Sequence, residues 1–208
     1  DVAYGVAPEP RDAVDALLAP DEQLRALDPT FSPRPPVAAD FKGAFDALMA
    51  QMLAHQFPAH PEFDIEVKPV ELRRMWPDIE AAAQAAGHRH LVGDAQARRR
   101  IRAVVTPLRL GQMGEHPLVL EQHWTVHFGR QHAAEGGPVT VGKLRQWMDR
   151  PTAMGLPREV QNLLILAWAT MTNRRFLHNG GPADASIDQM PDGLELLAMG
   201  SDRWGLKD

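Results

Sequence analysis

The 208-residue chain has no cysteine, which excludes disulfides and removes any thiolate nucleophile or metal ligand. A reducing compartment fits, and a cytoplasmic location is expected. Serine is almost absent as well. Ser32, Ser186 and Ser201 are the only three, none lies in a Gly-x-Ser-x-Gly turn, and no His–Asp pair can be assigned to them. The sequence has no apolar run of about 18 residues, and Asp1-Val2-Ala3-Tyr4 does not open a basic segment followed by an apolar one. No membrane span and no signal peptide are therefore expected. No Gly-x-x-x-x-Gly-Lys-Ser/Thr loop is present, and Gly111–Gly114 does not fit Gly-x-Gly-x-x-Gly. On these grounds the chain is expected to be non-catalytic by itself and to hold no cofactor. It does not begin with Met, so it is expected to be a piece of a larger protein.

What is present suits a folded domain. Hydrophobic residues make up 44% of the chain, enough to supply a core. The net charge is −5 and both halves are mildly acidic, which argues against non-specific nucleic-acid binding by the whole surface but leaves room for a local basic patch. The 18 prolines and 16 glycines cluster at breaks, as in helices separated by turns.

Short helices are expected over Asp12–Leu18 and Asp21–Leu27, then an extended arm through Pro29, Pro33, Pro35 and Pro36. Asp40 is placed to cap a helix over Phe41–Phe57, whose apolar residues recur at three- and four-residue intervals. Phe63–Val67 alternates like a short strand. Helices are expected over Pro69–Ala86 (with a kink or break at Pro77), Asp94–Leu108, Leu118–His132, Val141–Met148 behind Thr140, and Arg158–Thr172. Arg174–His178 reads as a strand, Asn179-Gly180-Gly181-Pro182 as a turn, and Leu194–Met199 as a second extended stretch. The fold class is thus mainly α: a helical bundle with a C-terminal winged-helix-like unit and one or two short β-hairpins. The division is an N-terminal helical arm and Pro-rich linker (1–40), a helical subdomain (41–135) and a winged-helix-like subdomain (136–208). The core is expected to contain Phe45, Leu48, Met52, Ile101, Val105, Leu120, Trp124, Leu144, Trp147, Leu163, Leu166 and Trp168.

The winged-helix order invites a DNA-reading role for Arg158–Thr172. Leu163-Leu164-Ile165-Leu166-Ala167-Trp168-Ala169 is apolar on every face, however, which marks a buried helix, whereas a groove reader needs an exposed polar face. The alternative cationic surface combines Arg98, Arg99, Arg100 and Arg102 with Arg174 and Arg175; a solvated helix face explains the first four equally well. His123 and His127 lie four apart and share a helix face, as metal ligation requires. Trp124 stands where a zinc hydrolase would place its Glu, and no spaced partner completes a site with Glu121, His116 or His132, so an unligated helical pair is the simpler reading.

Three stretches carry a family resemblance. They run from Pro107 to Glu115, from Thr140 to Leu163 (including Gly142-Lys143-Leu144-Arg145-Gln146-Trp147 and Pro151, Gly155 and Pro157), and from Asn173 to Pro182, extended by Leu194-Glu195-Leu196. They resemble the region downstream of the ATPase core in PglY-like proteins, the large phage-resistance ATPases of phage growth limitation and BREX systems, over roughly residues 60–200. The resemblance implies an AAA-type parent in a multi-gene antiviral locus with a methyltransferase and a phosphatase or kinase. Without a Walker A loop here, any nucleotide site lies outside this chain and no catalytic residue is carried over. The implied partners are the rest of the parent ATPase and other defence proteins, with nucleic acid as the alternative and no membrane.

Overall fold

A computed structural model describes residues 28–38 and 40–199. The two helices expected before residue 28 lie outside the described residues. The chain divides into two compact units, Asp1–Pro58 and Ala59–Asp208.

In the first unit, helix α1 spans Phe41–Gln56. The Asp40 carboxylate accepts the Gly43 amide at 2.8 Å and so satisfies one of the four free N–H groups of the first turn. The proline-rich arm turns back along this helix. The Gln51 side chain accepts the Arg34 amide at 2.8 Å and donates to the Arg34 carbonyl, while Phe31 is buried with Leu48 beside Met52. Phe45 is only partly buried.

The second unit begins with an extended segment and helix α2, Pro69–Gln84. Phe63, Ile65 and Val67 pack against the core, as their alternation suggested, but no strand forms there. Helix α2 runs through Pro77, so of the expected kink or break no break forms there. A proline inside a helix costs about 3 kcal/mol. The stripe Leu72, Met75, Ile79, Ala82 and Ala83, buried on both sides of it, offsets that cost.

A short 3-10 turn leads to β1 (Arg89–Leu91), then α3 (Ala95–Val105), β2 (Gly111–Met113) and β3 (Pro117–Leu120). These strands make an antiparallel sheet in the order β1-β3-β2, with Arg89 opposite Val119 and Met113 opposite Leu118. Residues 111–113 form a strand after the helix has ended, and one expectation fails here: residues 118–120 are a strand rather than the start of a helix. The helix begins only at His123. The reason is tertiary pairing. A Cβ on Gly111 would lie 2.3 Å from the Val119 carbonyl oxygen, so the strands approach as closely as they do because residue 111 is glycine.

The last part contains α4 (His123–Glu135), α5 (Val141–Met148), α6 (Arg158–Met171), β4 (Arg174–His178), β5 (Gly181–Pro182) and β6 (Glu195–Ala198). Thr140 caps α5 through the Lys143 amide. The second sheet has the order β5-β4-β6. Thr140 bridges Glu195, and the Leu196 amide bonds the Val139 carbonyl at 2.8 Å, so residues 139–140 run along the outer edge of β6. Asn179 (φ 49°) and Gly180 (φ 80°) form the two-residue turn of the β4–β5 hairpin, whose left-handed pair favours Asn-Gly.

The architecture is therefore six α-helices with two three-stranded antiparallel sheets among the described residues, richer in β-structure than the one or two hairpins expected. One hydrophobic cluster runs from Leu72 to Leu196, centred on α6, which packs against α2. Ile101, Val105, Leu120, Trp124, Leu144, Trp147, Leu163, Leu166 and Trp168 are all buried, as expected. No helix among the described residues is long and apolar enough to cross a membrane.

Candidate functional site

The densest polar arrangement lies at the starts of α5 and α6, where residues 183–194 cross as a strap between β5 and β6. Helix α5 buries Val141, Leu144, Trp147 and Met148, and Arg145 lies within that apolar stripe at 8% exposure. Its guanidinium forks three ways. One Nη donates to Asp192; the other donates to the Asn162 side-chain oxygen at 2.6 Å and to the Met190 carbonyl at 2.8 Å. Asn162, 3% exposed, uses its amide nitrogen on the Ile187 carbonyl at 2.7 Å.

Arg158 adds a second guanidinium to Asp192 at 2.8 Å, and Arg73 of α2 pairs with Asp188. The Arg158 hydrogen bond holds the Asp192 carboxyl below its ordinary range; partial burial opposes this, and Arg145 reinforces it. Burial lowers the Arg145 pKa, and Asp192 opposes that shift. None of these partners was singled out in the sequence. The available signal was a charged residue inside the buried stripe of α5; its partners, up to 47 residues away, have no local signature.

The six arginines of the proposed cationic surface lie on two different elements, four on helix α3 and two on strand β4. Arg98 donates to the Val92 and Gly93 carbonyls, and Arg102 to those of Met113 and Gly114, so both fasten α3 to the first sheet. Arg100 lies 3.6 Å from the Glu71 carboxylate. Arg99 is exposed. Arg174 and Arg175 belong to β4 in the second sheet. Arg174 stacks on Trp168, 4.7 Å from the ring centroid, and burial lowers its pKa.

The rings of His123 and His127 stack with centroids 6.4 Å apart, and His127 Nε2 is 2.6 Å from the Trp147 carbonyl. That bond requires a proton on Nε2, which withdraws this nitrogen from ligation. Burial, aided by Arg109 and His127, lowers the His123 pKa. Among the described residues, no group of three or more His, Asp or Glu side chains could hold a metal.

Two family models match the sequence. Residues 70–169 match the model described as the BREX System ATPase PglY protein 5th domain, and residues 1–57 match the PglY fourth domain. No solved structure matches the chain.

Proposed function

Since the chain belongs to the PglY-like family of BREX phage-defence proteins, as a region matching their fourth and fifth domains, we propose that it is a non-catalytic accessory module of the defence ATPase that works through protein contact or coupling to the ATPase core. The second unit ends as a winged helix. Helix α4, residues 139–140, α5, α6, β4, the hairpin and β6 follow the helix–strand–helix–helix–strand–wing–strand order, with residues 139–140 and β4 flanking β6. In such a unit α6 occupies the place of the recognition helix.

One observation carries the reading: α6 is enclosed. Val160, Leu163, Leu164, Ile165, Leu166, Ala167, Trp168 and Ala169 are all buried, under α2 on one side. The polar side chains at its start are engaged within the chain. Arg158 pairs with Asp192, Gln161 donates to the Leu156 carbonyl, and Asn162 joins Arg145. The sequence from Phe176 through Asp202, which holds the hairpin and the strap, contains no Lys or Arg and is acidic, the wrong sign for phosphate. The outer face of the first sheet instead exposes Leu91 (65%) and Val119 (36%), apolar surface suited to a protein partner.

DNA binding through Arg98, Arg99, Arg100, Arg102, Arg174 and Arg175 remains the second reading. It is less favoured because Arg98, Arg100, Arg102 and Arg174 already hold intramolecular partners.

Calorimetric titration of the purified chain into the ATPase-core fragment is expected to show binding. The chain alone is expected to release no phosphate from ATP above a buffer control and to bind duplex DNA weakly, without a salt slope. ATP turnover by the chain, or a steep salt-dependent DNA affinity, refutes the assignment.

A further inference from the structure

The strap from 183 to 194 combines two kinds of attachment. Ile187, Met190 and Leu194 are buried in the core, while the residues between them face solvent. Between Ala185 and Pro191 the ties to the helices are made by side chains: Asn162 to the Ile187 carbonyl, Arg145 to the Met190 carbonyl, and Arg73 to Asp188. Regular backbone bonding resumes at the ends, where the Ala183 amide bonds Phe176 and the Gly142 and Val141 amides bond the Asp192 and Leu194 carbonyls.

Arg145 is an unusual choice for this position. Val141, Leu144, Trp147 and Met148 show that the same helix face tolerates apolar residues. Desolvating a guanidinium costs free energy that ion pairing only approximately returns, and replacing both partners of a buried pair by well-packed apolar residues is often neutral or stabilising. What an apolar residue cannot supply is direction. The Arg145 fork fixes three strap and helix groups at once, at Asp192, Met190 and Asn162, and Asn162 fixes a fourth at Ile187. A strap with apolar pins alone can slide, since burial is non-directional.

We propose that Arg145, Asn162 and Asp192 form a latch that sets the register of residues 183–194 on the starts of α5 and α6, and that makes this strap the part of the unit able to detach without global unfolding. This inference stands independently of the accessory role above, because it concerns the strap's own opening.

The test is Arg145→Met in the whole chain, with urea unfolding and amide hydrogen exchange measured side by side. The unfolding midpoint is expected to fall, because the Asn162 side-chain oxygen and the Met190 carbonyl lose their donor. Exchange at Gly142, Ser186 and Leu194 is expected to rise about tenfold or more beyond any rise at the amides of α6. If α6 and the strap accelerate equally, Arg145 is an ordinary core contact and the proposal is wrong. Unchanged strap exchange also overturns it. Should Arg145→Met fail to fold, Asp192→Asn, at an exposed carboxyl, decides the matter: a strap that then exchanges no faster than α6 overturns the proposal. Arg145→Lys separates charge from geometry: it keeps the cation, loses the fork, and is expected to open the strap as well.

Discussion

Trp124 and Trp168 offer a matched pair in which one hydrogen bond is the main difference. Both are 4% exposed and both touch Phe128. The Trp124 indole N–H donates to the Leu108 carbonyl at 2.8 Å, whereas the Trp168 indole N–H is buried without a partner. Replacing either with Phe removes similar volume and leaves a similar cavity, so that cost is common to both. Trp124→Phe also strands a buried carbonyl, which costs about 1–3 kcal/mol. Trp168→Phe removes an unsatisfied donor and relieves a penalty of that size, while it weakens the Arg174 stacking by about 0.5–1 kcal/mol. Trp124→Phe should therefore be the more destabilising change by about 1–5 kcal/mol. Trp168→Ala, which deletes the whole ring system, should cost about 3–5 kcal/mol. All five tryptophans follow residue 58, so urea unfolding followed by tryptophan fluorescence reports the second unit alone. Equal losses for the two Phe variants, or a greater loss at Trp168, would refute the hydrogen-bond argument.

Gly111→Ala should destabilise the first sheet by about 1–3 kcal/mol, because the added carbon meets the Val119 carbonyl and backbone must move; thermal unfolding measures it, and a neutral result contradicts the close approach. Asp192 should make the unit sensitive to acid. Its folded pKa lies below the unfolded value of about 3.9, so its contribution is present above that value and is lost as pH falls through the folded pKa. Asp192→Asn cannot titrate there, so the variant should lose less stability than the parent chain between about pH 5 and 2, and parallel acid limbs would disprove the assignment.

The elements legible from sequence are those whose signals are local. Asp40 and Thr140 cap α1 and α5 where their side chains predicted, Asp94 caps α3 where the helix was expected to begin, and the apolar run from Leu163 to Ala169 is buried on all sides. The first sheet was not legible. Its strands have three or four residues, too few for alternation to be distinguished from helical spacing, and Pro117-Leu118-Val119-Leu120 runs straight into a helical pattern. Pairing with β1 and β2 decides its conformation. The arginine cluster on α3 was visible, but its acceptors were not, because carbonyl groups exposed at strand ends leave no mark in side-chain sequence. The latch was hidden for a similar reason: Arg145, Asn162 and Asp192 meet only after α5, α6 and the strap are in place.

The energetics of α6 decide whether this helix can read bases. Presenting the helix to a major groove requires uncovering apolar side chains among Val160, Leu163, Leu164, Ile165, Leu166 and Trp168, all of them buried. Each large apolar side chain returned to water costs about 1.5–3 kcal/mol, so the exposure costs on the order of 10 kcal/mol. A specific DNA site returns about 4–10 kcal/mol over non-specific binding, and a domain's whole stability is about 5–15 kcal/mol. Base reading by α6 would therefore dismantle the fold that carries it. Surfaces that do not draw on this core escape that cost. They are the outer face of the first sheet around Leu91 and Val119 and the strap across the starts of α5 and α6.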